Sequence, residues 1–404
     1  MNTNRTPRRL GAVALVAALA LTAAACGGDD DDVAATDPPV ATDATPEPTE
    51  PAPEPTQPDA EPEPEPEPTE PETPGTTGAP APDTTAPAGE SLEGLELTLY
   101  SGRSEGLVQG VIDAFEAATG VDVKVRYGSS AEVGAALLEE GDRTPADVFY
   151  SQEVGAVGVL AKAGLLSELP ADLVSSVDPR FQPPAGNLWV GVTGRSRVIV
   201  YNPDLVPEPP AGVLELTDPQ WNGKVAIVPG NAGFQAFVTG FRVTHGDDAA
   251  REWLEAMIAN GVRTDISSNG NVLAAVNDGE LELGLINHYY WAGLAAELGT
   301  ENMVAQLIFP KGGDPGGLFN ATAVGITNGG ADNPAALAFV EFLLSEEGQT
   351  YFVEETHEYP VLPGLADPVG YPGRDELDGP AIDLTDLDSL EATQALLTEL
   401  GLLS

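Results

Sequence analysis

Two adjacent tyrosines, Tyr289 and Tyr290, lie in the stretch INHYYW and have the residue types and spacing best suited to chemistry. A phenol has a pKa of about 10, so it binds a metal only when a hard, highly charged cation displaces its proton. Ferric ion is such a cation and suits oxygen donors better than sulfur donors. Neighbouring tyrosines also occur as simple packing, and the pair by itself leaves both interpretations open.

The elements around the tyrosines decide whether both side chains can reach one ion. The residues before them, NVLAAVNDGELELGLIN, have the pattern of a helix, a turn and a short apolar strand. The pair is therefore predicted where a strand ends and a helix starts, and a turning backbone there allows adjacent side chains to converge.

Alternating strands and helices are predicted along residues 91–404. LELTLY and VDVKVRYG have strand patterns, and the intervening GLVQGVIDAFEAATG places apolar residues on one helical face and stops at Gly120. The alternation predicts an α/β fold with a mostly parallel sheet and helices on both faces. This part of the chain is long enough for two lobes, each with its own core.

The charge of the chain excludes nucleic acid as a partner. The formal net charge is -47, and residues 91–404 hold 46 acidic against 14 basic residues. Phosphate backbones require a basic face, which this composition does not provide.

The first 26 residues are predicted to be a signal peptide. Three arginines precede an apolar run of about 13 residues and then small residues before Cys26, the single cysteine. LTAAAC resembles a bacterial lipoprotein box, and a lone thiol has no disulfide partner. We therefore expect lipidation of Cys26 and an anchor on the extracytoplasmic face of the cell membrane.

Residues 27–90 have a different composition from the rest of the chain. They contain 18 of the 64 acidic residues, many prolines and no lysine or arginine. Such a segment cannot bury enough apolar surface to offset its chain entropy, so we predict a disordered tether.

Catalytic motifs give no support for an enzyme. The sequence contains no HExxH and no phosphate loop, and the three histidines, His245, His288 and His357, are scattered. Serine nucleophiles need a base within hydrogen-bond reach, and no histidine has an interpretable spacing from the serines of SGRSE or TGRSR. A binding protein is the better prediction.

Several motifs resemble those of bacterial periplasmic ferric-binding proteins, the substrate-binding components of iron ABC transporters. The similarity runs from about residue 95 to the C-terminus. The segments that carry it are LTLYSGRSEGLVQGVIDAFEAATGVDVKV, LLEEGDRTPADVFYSQE, GRSRVIVYN, WNGKVAIVPGNAGF, INHYYW and THEYPV.

The resemblance implies a two-lobed, type II periplasmic binding protein fold with a cleft between the lobes and a hinge. The first lobe would take about 91–195 and 320–370, and the second about 196–319 and 371–404. It also implies a monomer that delivers ferric iron to an ABC transporter permease.

By the same resemblance, Tyr289 and Tyr290 are the metal ligands. The best-known members have a histidine where this chain has Ser104, which is also suited to cap a helix. They have glutamate and then glutamine where this chain has Gln152 and then Glu153. Glu153 is therefore a weaker candidate ligand, and His288 replaces a family asparagine without being an expected ligand.

Family members complete the metal site with an anion, here expected to be phosphate, carbonate or citrate. The matching turn opens a helix, and a helix N-terminus presents free amides to an anion. The residues expected at the anion are Asn231, Ala232, Gly233, Asn269 and Asn287, with Ser104, Gln152 and Arg103 as weaker candidates. Arg103 and Arg195 could balance its charge or form surface salt bridges.

Two alternatives remain open. The same fold could bind a small organic anion such as a phosphonate, with the tyrosines as walls that stack or hydrogen-bond. A sensor or adhesion lipoprotein would instead offer its cleft to a partner protein.

Overall fold

The computed structural model describes residues 91–403, so the predicted signal peptide, tether and Cys26 lie outside the described residues. The strands are β1 Glu96–Ser101, β2 Asp122–Tyr127, β3 Val148–Ser151, β4 Val190–Tyr201, β5 Val225–Ala226, β6 Leu283–Asn287, β7 Gln306–Ile308, β8 Phe319–Ile326 and β9 Tyr359–Pro360. The helices are α1 Glu105–Thr119, α2 Ser130–Glu140, α3 Val154–Lys162, α4 Ala171–Ser175, α5 Ala232–His245, α6 Asp247–Ala259, α7 Asn269–Asn277, α8 Tyr289–Leu298, α9 Pro334–Leu343, α10 Glu346–Glu354 and α11 Leu390–Glu399. None of these helices is long and apolar enough to cross a membrane.

One long strand, β4, runs through both halves of the sheet. Its residues 190–196 pair with β8 around a bulge, and its residues 197–201 pair with β6. The strand order is β2-β1-β3-β8-β4-β6-β5, and β7 and β9 also pair with β4. Because β4 is buried from Val190 to Val200, it forms a rigid connection through the interior.

The sheet is mixed, and the parallel pairing expected from the sequence is confined to its two ends. β1 is parallel to β2 and β3, and β5 is parallel to β6. β4 is antiparallel to each strand with which it pairs, and β8 is also antiparallel to β3. Local strand–helix units produce the parallel pairs, whereas β4 and β8 connect distant parts of the chain.

Three clusters of buried apolar side chains form the cores. The first lies around β1, β3 and the start of β4 and includes Phe115 and Phe149. The other two lie on opposite faces of the sheet around β6, with Ile199 in one and its neighbours Val198 and Val200 in the other. Successive side chains of a strand point to opposite faces, so both faces of this half are covered.

The segment near the C-terminus contributes to two of these clusters. Leu384 and Leu387 pack in the first cluster, and Leu396 and Leu397 pack in the second. The lobe limits remain a prediction.

Helix α1 follows its sequence signals closely. It buries Val108, Val111 and Phe115, and it ends at Gly120, whose φ of 73° lies in the left-handed region that glycine adopts freely. Ser104 precedes the helix, but its side chain makes no capping hydrogen bond. The hydroxyl of Ser104 is therefore not used in the way that its position in the sequence suggested.

A fully buried ion pair joins Arg103, which follows β1, to Glu358, which precedes β9. Nη1 and Nη2 donate to the two carboxylate oxygens at 3.2 and 2.6 Å, and the hydroxyls of Thr193 and Thr356 donate to the same oxygens. Burial alone would raise the pKa of Glu358, but the charge and hydrogen bonds of Arg103 outweigh it and lower that pKa. The pair is a buried one, not the surface salt bridge considered from the sequence.

Glu358→Gln should lower the free energy of unfolding by about 3–5 kcal/mol, because it leaves the Arg103 guanidinium buried without its counter-charge. Chemical denaturation at pH 7 measures the change. The matched control is Glu355→Gln, which removes the same charge from an exposed neighbour and should cost less than about 0.5 kcal/mol. Equal losses in the two variants would contradict the role given to the ion pair.

Candidate metal centre

The two tyrosines lie where β6 ends at Asn287 and α8 begins at Tyr289. The rings of Tyr289 and Tyr290 stack, with centroids 4.6 Å apart and planes inclined by 27°. The stacking places the two phenols side by side, so each influences the ionisation of the other. The turn predicted at a strand end is present, and it brings two phenol oxygens to one place.

Side-chain amides surround the hydroxyl of Tyr289. It accepts hydrogen bonds from Gln152 Nε2 at 3.2 Å and from Asn287 Nδ2 at 3.4 Å. Only 5% of Tyr289 is exposed. Two amide donors are therefore directed at this phenol oxygen.

The phenol of Tyr290 is held in its neutral form while no cation is bound. The adjacent Tyr289 phenol is the main cause of a pKa far above the ordinary value, followed by burial and the hydrogen bond between the two phenols. Arg197 and Arg195 oppose this rise. A cation that binds here must therefore displace protons, and binding should release them.

Two buried arginines of β4 face this region. Arg197 donates to Asn287 Oδ1 at 3.2 Å and to the Leu285 carbonyl at 2.8 Å, and burial lowers its pKa to about 10. Arg195 is 2% exposed, and within residues 91–403 its buried Nε and Nη1 have no hydrogen-bond partner. Its unused N–H donors are available to an anion.

The residues expected to hold an anion come together at the starts of two helices. Asn231 caps α5, and its Oδ1 accepts from the Phe234 N–H at 3.2 Å and from Asn269 Nδ2 at 3.3 Å. Ala232 and Gly233 open α5, where the first N–H groups lack intrahelical partners. A Cβ on Gly233 would lie 2.8 Å from Asn287 Nδ2, so only glycine fits beside that amide.

The tyrosine pair separates two cavities. One, of about 470 Å³, is lined by Asn231, Asn269 and Tyr290 among others. The second, of about 540 Å³, is lined by Ser104, Tyr289, Tyr290 and residues of the loop that follows α10. Arg103 lines neither cavity and is bound to Glu358.

Comparisons with known proteins place this geometry in a family. The model of the bacterial extracellular solute-binding protein family matches residues 101–350. The chain is 32% identical over 310 residues to the major ferric iron-binding protein of Neisseria meningitidis. The aligned region covers 76% of this chain and 93% of that protein. The chain belongs to the bacterial extracellular solute-binding protein family.

Solved structures agree with this membership. Iron-bound HitA from Pseudomonas aeruginosa is 32% identical, superposes with a TM-score of 0.72, and covers 76% of this chain and 99% of its own. A Trichodesmium protein in complex with iron and citrate ligands is 25% identical, with a TM-score of 0.64, and covers 76% and 99%. The resemblance to periplasmic ferric-binding proteins and the two-lobed α/β fold expected from the sequence are confirmed. This solute-binding protein is a transport component rather than an enzyme.

Of the neighbours Gln152 and Glu153 in this solute-binding protein, Gln152 is the one that donates a hydrogen bond to Tyr289. The Oε1 atom of Gln152 is buried and has no partner among the described residues. Glu153 is also buried, at the start of α3, and burial raises its pKa to about 7 against the opposing effects of Arg195 and Ser130. The role of Glu153 as a metal ligand remains a prediction.

His288 is buried directly before Tyr289. Its Nδ1 accepts the Ser196 N–H at 3.3 Å, and its Nε2 donates to the His357 carbonyl at 3.0 Å. Both ring nitrogens are therefore occupied, which agrees with the expectation that His288 is not a ligand.

The sequence interpretation missed Arg197 and the contact of Gln152 with Tyr289. Arg197 directly precedes the apolar run 198–200 of β4, but its pairing with Asn287 depends on strand order. Within residues 91–403, no group of three or more His, Cys, Asp or Glu side chains could hold a metal ion. A search restricted to those residue types would have overlooked this site, because its donors are phenols and amides.

The pKa of Glu153 gives a pH-dependent stability. Because its pKa rises from 4.5 in a model peptide to about 7 in the fold, the folded chain binds an extra proton between these values. The contribution is fully present below pH 4.5 and is lost as the pH rises through 7.

Between pH 5 and pH 8 the wild-type protein should lose up to about 3 kcal/mol more unfolding free energy than Glu153→Gln. Urea denaturation without iron at both pH values measures the difference. Glu355→Gln, which removes an exposed carboxylate, should follow the wild type. Parallel losses in wild type and Glu153→Gln would show that Glu153 titrates near its ordinary value.

Proposed function

We propose that this protein binds ferric iron, with an accompanying anion or as a chelate, and delivers it to the permease of an ABC importer. The observation that carries the proposal is the stacked Tyr289–Tyr290 pair at the junction of β6 and α8. The relatives named above for ferric iron support the same cargo.

The chemistry of the pair suits a hard, trivalent cation. Iron displaces both phenol protons, and the resulting phenolates supply oxygen donors of the kind that such a cation prefers. The amides of Gln152 and Asn287 then donate to the charged Tyr289 oxygen. Arg195 and Arg197 lower the pKa of Tyr290, so they also favour the phenolate.

The remaining ligands come from an anion held by protein N–H groups. Asn231 and Asn269 line the cavity beside Tyr290. Arg195, whose charge acts on Tyr290, has two N–H donors without a partner among residues 91–403. Phosphate, carbonate and citrate all suit this arrangement, because each offers several oxygen atoms to both metal and donors. Within residues 91–403 no group of three or more His, Cys, Asp or Glu side chains could hold a metal ion, so an anion would complete the shell that the phenolates begin.

Delivery requires opening and closing of the cleft around β4, the strand common to both halves. Loading would close the lobes on the cargo and present a surface to the permease. Lipidation at Cys26 would hold the chain at the outer face of the membrane, and residues 27–90 would serve as a tether that lets the binding domain extend away from the membrane. The protein would act as a monomer.

Tyr289→Phe and Tyr290→Phe test the site directly. Addition of ferric citrate to the purified full chain should give a visible phenolate-to-iron absorption band that saturates at one equivalent. Each substitution should weaken iron binding by at least about a hundredfold. Removing a residue that only supports a metal ligand costs about ten- to a hundredfold in affinity, and removing a ligand itself should cost no less. Tyr127→Phe removes a phenol from the surface and should leave the band unchanged.

A folded wild-type protein that gives no band would overturn the proposal. In that case the tyrosines would act as walls for a small organic anion. An unchanged iron affinity together with an unchanged band intensity in Tyr289→Phe or Tyr290→Phe would show that the substituted tyrosine does not ligate the metal.

The anion requirement is a separate prediction. Ferric iron supplied in a buffer without phosphate, carbonate or citrate should give no saturable band, and addition of any one of these anions should restore it. Arg195→Gln should increase the anion concentration needed for half-maximal colour by about tenfold, because a charge-assisted hydrogen bond contributes roughly 1.5–3 kcal/mol. Full colour without an added anion would show that protein donors suffice.

A further inference from the structure

The third histidine, His357, lies in the loop that follows α10, and this loop lines the cavity of about 540 Å³ beside the tyrosines. The loop contributes Glu355, Thr356 and His357 to the same lining as Tyr289 and Tyr290. His357 is the one nitrogen-bearing ring in that lining. The described geometry therefore places an imidazole and two phenols around one solvent-filled space.

The backbone at His357 is fixed in an uncommon conformation. Its φ of 54° is in the left-handed region, which few residues other than glycine adopt. Its carbonyl accepts the hydrogen bond from His288 Nε2 at 3.0 Å. Its neighbour Glu358 is held by Arg103 in the buried ion pair. A backbone conformation of this kind persists only where contacts with the surrounding structure hold it in place, and such conformations are common at ligand sites.

The ring of His357 is free to bind a ligand. Among residues 91–403 neither of its ring nitrogens has a hydrogen-bond partner, and the ring is half-buried. The other two histidines differ in this respect. His288 uses both nitrogens internally, and His245 lies exposed on α5 with its Nδ1 hydrogen-bonded to the Thr244 hydroxyl at 2.8 Å.

We propose that His357 supplies a nitrogen ligand to the ferric ion held by Tyr289 and Tyr290. This inference rests on the proposed function and assigns the cargo a further protein donor from the opposite side of the cavity. Neutral imidazole is a suitable donor for iron beside oxygen ligands. The two phenols release their protons on binding, while the imidazole binds through a lone pair, and the anion occupies the positions left open.

The assignment explains why the loop is held so firmly. The hydrogen bond from His288 positions the His357 backbone relative to Tyr289, which directly follows His288. Closure of the cleft would then bring the imidazole to the metal. A loop that served packing alone would bury its ring, whereas the ring of His357 is half-buried and lines the cavity.

The test uses pulsed electron paramagnetic resonance of the full chain loaded with ferric citrate, with and without ¹⁵N-labelled histidine. A bound imidazole couples to the iron spin, and the label changes that coupling. His357→Asn removes the imidazole while keeping a residue that tolerates a positive φ. We expect it to retain the phenolate-to-iron band, lose the histidine coupling and bind iron about tenfold more weakly.

Two controls accompany the variant. His245→Ala removes an exposed histidine elsewhere, and Glu354→Gln removes an exposed carboxylate at the end of α10, outside the cavity lining. Both variants should keep the coupling and the affinity. A coupling that persists in His357→Asn, or a wild-type band without histidine coupling, overturns the assignment and leaves the tyrosine site standing. A wild-type protein with neither band nor coupling overturns the proposed function itself.

Discussion

The imidazole of His288 joins three distant parts of the chain, and the geometry of the site depends on it. Its Nδ1 accepts the N–H of Ser196 in β4, its own backbone N–H donates to the Ser196 carbonyl, and its Nε2 donates to the carbonyl of His357. Burial lowers the pKa of the ring to about 4, so it stays neutral near pH 7 and keeps the same donor and acceptor roles. Because Tyr289 follows directly, the phenols are fixed relative to both the crossing strand and the loop before β9.

The charge buried around the cleft is opposite in sign to the net charge of the whole chain. The chain has a net charge of -47, yet Arg103, Arg195 and Arg197 are almost completely buried around the site. Arg103 is balanced by Glu358, and Arg197 is bonded to neutral oxygen atoms. Burying an unbalanced cation costs several kcal/mol. In the proposed loaded state, phenolates and an anion would supply the missing negative charge.

The Gln152–Glu153 pair shows where reasoning from the sequence reaches its limit. The two residues lie side by side after β3, and their types suggest that the carboxylate is the better ligand. In the fold, the chain is extended at Glu153, and neighbouring side chains of an extended chain point in opposite directions. Gln152 therefore faces Tyr289, and Glu153 lies within the electrostatic influence of Arg195.

The sequence by itself determined the features that depend on near neighbours: the end of β6 before Tyr289, the stop of α1 at Gly120, and the glycine-bearing turn that opens α5. Only the tertiary structure decided which distant residues meet. Arg103 and Glu358 are 255 positions apart, and the alignment of Arg197 with Asn287 follows from the antiparallel pairing of β4 with β6. Hydrophobic periodicity reports which face of an element is buried, but it carries no information about the order of strands in the sheet. The contact of Arg197 with Asn287 and the position of His357 in the cavity lining were therefore decided by the fold.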